Sequence, residues 1–166
     1  MGKNKILTPI EKEAGQFTRT LEHYKKISVL KSLEGLTKEE IVDIIKSGRA
    51  KEYHWYEVNL ELLNLKGVDF SGCYINYCHL DYIDFSGAQF KGTYMHGSTM
   101  KGCNFAGADM KFWNVNESSL EHSKFDGANM ERCFIWKSFG GDWLEKGVNI
   151  PQFYIDLYGL DTKEVK

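Results

Sequence analysis

From Leu60 to Ile135 every fifth residue is a large apolar side chain: Leu60, Leu65, Phe70, Ile75, Leu80, Phe85, Phe90, Met95, Met100, Phe105, Met110, Val115, Leu120, Phe125, Met130 and Ile135. A helix repeats near 3.6 residues and a strand near 2, so a strict period of five fits neither. It points to stacked repeats, each burying its face only against its neighbours. Two residues before the large side chain stands mostly a small or modest one: Val68, Cys73, Cys78, Ala88, Ser98, Cys103, Ala108, Ser118, Ser123, Ala128 and Cys133. Both positions therefore face inward, and the polar residues between them face outward.

A longer period overlies the first. Asp84-Phe85-Ser86-Gly87-Ala88-Gln89-Phe90 recurs as Asn104-Phe105-Ala106-Gly107-Ala108-Asp109-Met110 and as Lys124-Phe125-Asp126-Gly127-Ala128-Asn129-Met130, at a spacing of twenty. Four units of five thus make one turn, and residues twenty apart lie above one another. The expected core columns are Leu60, Leu80, Met100, Leu120; Leu65, Phe85, Phe105, Phe125; Phe70, Phe90, Met110, Met130; and Ile75, Met95, Val115, Ile135. Trp113 is the one large side chain at the small inward position, and a local bulge is expected there.

The segment resembles the pentapeptide-repeat family, whose loose A-(D/N)-L-x-x motif is matched by Ala108-Asp109-Met110 and Ala128-Asn129-Met130. The resemblance implies a mainly β fold, a right-handed four-sided parallel β-solenoid of about four turns. Stacked at about 4.8 Å per turn, it would be a rod on the order of 20 Å long. The family also includes proteins that resemble duplex DNA, bind type II topoisomerases such as gyrase and dimerise through a C-terminal helix.

A solenoid cannot end bare, because its terminal turns would expose apolar core and strand edges. The flanks supply the caps, giving a helical region over 1–52, the solenoid over 53–138, and a linker with a C-terminal helix over 139–166. Thr8-Pro9-Ile10-Glu11 starts a first helix, and Thr37-Lys38-Glu39-Glu40 a second with a capping box, Leu36 and Ile41 forming its hydrophobic staple and Ser47-Gly48 its stop. Trp55 falls five residues before Leu60, where it would cover the first turn. Asn149-Ile150-Pro151 opens a short helix in which Ile150, Phe153, Tyr154, Leu157 and Tyr158 fall at helical spacing and offer a cap or a dimer helix.

Chemistry is hard to place on such a chain. The four cysteines, Cys73, Cys78, Cys103 and Cys133, all fall on the inward position, where a thiol packs as a small hydrophobe. None forms the convergent C-x-x-C pair of a zinc site, so no metal and no cofactor is expected. His79 with Asp81, or with Ser119, is a fragment of a hydrolytic site, but Ser119 lies two turns away, about 10 Å by the stacking distance. Enzymatic activity is therefore not expected. With no signal peptide and no membrane-length apolar run, the cytoplasm is the expected compartment and no membrane is involved.

The outward positions are more telling. Glu61, Asp81, Lys101 and Glu121 align on one side, with Lys101 set to bridge two carboxylates. The Ile75 side carries Tyr74, Tyr77, Tyr94, His96, Phe134 and Trp136. This candidate interaction wall exceeds the scattered apolar exposure that needs no explanation. Either the flanking helices fold back on it, or a protein partner or a second copy covers it.

The leading expectation is a non-enzymatic scaffold, an adaptor or inhibitor, that presents its walls and helices to a protein partner. A homodimer through the C-terminal helix or the aromatic wall stays open. The alternative, a DNA mimic acting on a type II topoisomerase, lacks the acidity: residues 58–137 hold nine acidic side chains and seven Lys or Arg. Direct nucleic-acid binding is not expected, since the lysines form no stripe.

Overall fold

The structure, a computed structural model, describes residues 25–136 and 138. The helix expected from Thr8, and the C-terminal segment with Ile150, Phe153, Tyr154, Leu157 and Tyr158, lie outside the described residues. The chain divides into two compact units, Met1–Lys31 and Ser32–Lys166, with a two-residue strand β1 (Lys31–Ser32) at the junction. The solenoid belongs to the second.

Helix α1 (Lys38–Lys46) enters through its capping box: the Glu40 amide donates to Thr37 Oγ1 at 3.2 Å and the Thr37 amide to Glu40 Oε2 at 2.8 Å. Ile41, Ile44 and Ile45 are buried with the solenoid core, at about 1.5–3 kcal/mol per side chain. Ser47 and left-handed Gly48 close the helix. A single 3-10 turn (Ala50–Glu52) then leads into β2 (Tyr53–Tyr56). Trp55 does more than cover the first turn, because it is the first rung. It pairs in register with Ile75, is fully buried, and its indole N–H donates to the Ala50 carbonyl at 2.9 Å.

From there the chain coils as a four-sided parallel solenoid. One wall is the ladder of β2, β4 (Tyr74–Asn76), β6 (Tyr94–His96), β7 (Asn114–Asn116) and β8 (Phe134–Trp136), each strand paired with the residues twenty on. The second wall pairs β3 (Asn59–Glu61) with β5 (His79–Asp81) and continues through bridges from His79 to Thr99 and Thr99 to Ser119. The third runs through Asn64, Asp84, Asn104 and Lys124, and the fourth through Asp69, Gln89, Asp109 and Asn129. Inside, Phe85, Phe105 and Phe125 stack at 5.4 and 5.1 Å, and Phe70 on Phe90 at 5.4 Å, while Phe85 meets Phe90 edge to face.

The small inward residues do more than pack. Cys78, Thr93, Ser98, Cys103, Ser123 and Cys133 each donate a thiol or hydroxyl proton to the carbonyl twenty-three residues earlier, as in Thr93 to Phe70 at 2.7 Å and Cys133 to Met110 at 2.9 Å. The Ser98, Ser118 and Ser123 hydroxyls also accept an amide N–H from twenty residues earlier. This seam ties each turn to the last and satisfies backbone groups that are buried from water.

Trp113 corrects the expectation of a bulge. The strand that follows it keeps its register, with Asn114 opposite Tyr94 and Val115 opposite Met95, and the Trp113 amide donates to Met110 at 2.9 Å. The indole is fully buried beside Phe90 (5.7 Å) and Phe105 (5.9 Å). Room exists because this turn carries a flexible Met110 where the two earlier turns carry Phe70 and Phe90. Its Nε1 is buried without a hydrogen-bond partner among the described residues.

Candidate interaction surface

Each wall meets the next at a residue with positive φ, the region where glycine is cheapest. Glycine holds many of these corners, yet Leu62 (φ 56°), Tyr77 (55°), Tyr82 (56°) and Phe112 (61°) hold others. Those four are also the large apolar side chains most open to water at the corners: Leu62 is 78% exposed, Tyr82 60%, Tyr77 48% and Phe112 44%. A non-glycine residue in left-handed backbone costs roughly 1–2 kcal/mol.

Tyr77 and Tyr82 are seated alike. A Cβ added at Gly97 would stand 2.7 Å from Tyr77 Cδ1, and one at Gly102 only 2.5 Å from Tyr82 Cδ1. Each ring therefore leans on the glycine of the next turn, which only a residue without a side chain permits. Tyr56, also exposed, meets the Tyr77 ring edge-on at 5.8 Å, and His96 meets it from the other side at 5.4 Å.

The aromatic wall read from the sequence separates into parts. Tyr77 is exposed at its corner, whereas Tyr74, Tyr94, His96 and Phe134 are half-buried, with Tyr74 and Tyr94 packed ring to ring at 6.1 Å. Phe134 pairs through its backbone with Asn114, and Trp136 with Asn116. Asn76 is buried and donates to His54 Nε2 at 2.9 Å, the His54 imidazole being kept below its ordinary pKa by burial and so neutral enough to accept. Sequence reasoning passed over Tyr56, Leu62 and Tyr82. For Leu62 and Tyr82 the available signal was a large apolar residue at a repeat position that elsewhere holds glycine.

The charged columns sit mostly in pairs: Lys66 with Asp84 at 3.4 Å, Lys101 with Glu121 at 3.1 Å and Lys111 with Glu131 at 2.7 Å. Lys101 does not bridge two carboxylates through its ammonium as the sequence suggested. Its ammonium pairs with Glu121, while its backbone amide donates to Asp81 Oδ1 at 2.7 Å. Phe112 lies under two cations, Lys111 Nζ at 5.4 Å and Arg132 Cζ at 5.6 Å from its ring centre.

For chemistry, His79 Nδ1 meets Thr99 Oγ1 at 3.1 Å, and Ser119 donates to Glu121 Oε2 at 3.1 Å, so His79 and Ser119 are not brought together. The four thiols are unbridged and buried, and desolvation pushes each pKa up to about 12, far from a reactive thiolate. Among the described residues, no cluster of three or more His, Cys, Asp or Glu could hold a metal ion, and no helix is long and apolar enough to cross a membrane.

Comparison with solved structures finds partial likenesses. QnrB1, a plasmid-mediated fluoroquinolone resistance protein, is 16% identical over 50% of this chain and 44% of its own, with a TM-score of 0.48. HetL of Nostoc sp. strain PCC 7120, a pentapeptide repeat protein involved in heterocyst differentiation regulation, is 14% identical over 49% of this chain and 44% of its own, at 0.24. A pentapeptide repeat protein of the Arabidopsis thaliana thylakoid lumen is 21% identical over 46% of this chain and 60% of its own, at 0.28. The chain spans about half the length of these relatives, and likenesses of this size carry nothing about activity. No curated protein matches it. Residues 64–102 and 103–134, however, match Pentapeptide repeats in 8 copies, over the same turns whose ladders step by twenty. Over those residues the chain is built of pentapeptide repeats.

Proposed function

We propose that this protein is a non-enzymatic scaffold whose rigid solenoid binds a protein partner. The observation that carries the reading is the set of apolar corners: Leu62, Tyr77, Tyr82 and Phe112 occupy left-handed positions at a conformational cost and are exposed. Tyrosine is among the residue types enriched at the centres of protein interfaces. A surface held by continuous ladders also loses little entropy on binding. The half-buried wall of Tyr74, Tyr94 and Phe134 would extend the contact, with Trp136 and the segments beyond Ser138 adding to it or closing a homodimer. Four unbridged thiols suit a reducing cytoplasm.

The duplex-mimic alternative asks for a continuous acidic surface, and the pairing of Asp84, Glu121 and Glu131 with lysines works against one. The test is capture from native lysate with the full chain and with a Tyr77→Ala/Tyr82→Ala double variant. A specific protein should be held by the first and lost by the second at unchanged melting temperature. Capture that ignores both tyrosines would remove the corners from the proposal.

A further inference from the structure

The charges of the solenoid are not spread evenly over its walls. On the third wall Asp84 and Asp126 are balanced by Lys66 and Lys124, and on the fourth with its corner Asp69, Asp109 and Glu131 are balanced by Lys91, Lys111 and Arg132. The wall of β4, β6 and β7 carries no Asp, Glu, Lys or Arg in its strands. Among the described residues the wall begun by β3 and β5 carries the excess, with Glu61, Asp81 and Glu121 against Lys101, and with Glu57 and Glu117 at the corner it shares with the β7 wall. Lys38 reaches its N-terminal end, donating to the Glu61 carbonyl at 3.4 Å, while exposed Glu57 at the adjoining corner restores the negative excess.

The same wall is the one with apolar residues on both edges. Tyr77 stands at one corner with Tyr56 against it, and Leu62 and Tyr82 form the other. Between them, His79 and Asn59 are exposed on the floor. Two independent features thus coincide, a negative excess on one wall with its corner and tyrosines placed in unfavourable backbone on either side of it. Carboxylates accept charge-assisted hydrogen bonds from guanidinium and ammonium groups, and a tyrosine ring attracts the same cations over its face.

We propose that the wall of β3 and β5, edged by Tyr77 and Tyr82, docks a basic segment of a partner protein that bears Arg and Lys. The inference rests on the protein-binding reading above and narrows it. A neutral apolar partner would leave Glu61 and Glu57 desolvated without a counter-charge, and a nucleic acid would meet like charge. The partner's aliphatic stems have Leu62 and the tyrosine rings to lie on, and its charged heads have the carboxylates between.

The experiment is fluorescence anisotropy with a labelled short peptide of Arg, Lys and Gly, using the full-length protein. Saturable binding that weakens as salt rises is expected, with affinity falling about tenfold in Tyr82→Ala and in Glu61→Gln, the scale of one partly desolvated cation–aromatic or charged contact. Glu131→Gln, on the fourth wall, should leave it unchanged, and melting temperatures should confirm that all three variants are folded. Absence of saturable binding, an equal loss in Glu131→Gln, or equally tight binding of an acidic peptide would each overturn the proposal. If lysate capture still depends on Tyr77 and Tyr82 while the basic peptide does not bind, the scaffold reading stands and this inference alone falls.

Discussion

Phe85 and Phe105, twenty residues apart in the chain, lie ring over ring with centroids 5.4 Å apart and planes only 11° from parallel. Phe105 also stacks on Phe125 at 5.1 Å and touches Phe90 and Trp113, so it ties two turns and two columns together. Phe105→Ala should therefore destabilise the fold by roughly 3–5 kcal/mol. Denaturant titration reads the value directly, and a loss under about 1 kcal/mol would contradict the column packing.

Trp113 offers a contrasting pair of substitutions. Its bulk fills the corner between Phe90 and Phe105, while its buried Nε1–H finds no acceptor among the described residues. Trp113→Ala should cost roughly 3–5 kcal/mol through the cavity it leaves. Trp113→Phe removes the orphaned donor, worth about 1–3 kcal/mol, along with part of the volume, so it should lie within about 1 kcal/mol of the parent. Equal losses for the two would mean that the N–H is satisfied after all.

The thiols make stability depend on alkaline pH. Burial raises Cys73, Cys78, Cys103 and Cys133 from an ordinary 9.0 to about 12 in the folded chain. Their contribution is complete below pH 9.0 and declines above it, where the unfolded chain releases protons that the folded one keeps. Each thiol adds a slope of about −1.4 kcal/mol per pH unit in that window. Urea unfolding followed from about pH 8 to about pH 10.5 should be less steep in Cys103→Ala than in the parent by one such slope. Parallel curves would show that Cys103 ionises as freely folded as unfolded.

Topoisomerase mimicry is expected to be absent. A duplex presents one negative charge per about 1.7 Å of axis, whereas residues 58–137 here carry nine acidic side chains against seven Lys or Arg. In a gyrase supercoiling assay, protein at micromolar concentration should neither inhibit the enzyme nor protect it from a quinolone. Inhibition or protection below micromolar would bring the mimic reading forward in spite of the charge pattern.

Much of this fold is legible in the sequence because the period reports burial, and burial decides which side of the coil each residue takes. The four columns, the register of twenty and the capping box of α1 all follow from that. What the period does not report is backbone conformation and hydrogen bonding. The corner positions look merely outward until their φ angles are known, so Tyr82 and Leu62 pass unnoticed. Cys103 and Ser123 look like small packing residues until their carbonyl acceptors are seen. Trp113 misleads for another reason: volume is balanced across neighbouring columns, and Met110 makes the space one position away. Tyr74 and Tyr94 face outward as read, but rungs about 4.8 Å apart press such rings against one another and leave them half covered.

The thiol and hydroxyl seam also governs how a rod like this changes length over evolutionary time. Most of the inward donors reach a carbonyl twenty-three residues back, as Thr93 reaches Phe70 and Ser123 reaches Met100. An insertion of one residue shifts off its acceptor every donor whose carbonyl lies on the other side of it, and breaks the register of the core columns across that turn. Duplication of a whole turn leaves every donor with an acceptor of the same kind, because the new segment brings its own. Such a chain lengthens by copying turns of twenty and resists the single-residue insertions and deletions that loops elsewhere absorb freely.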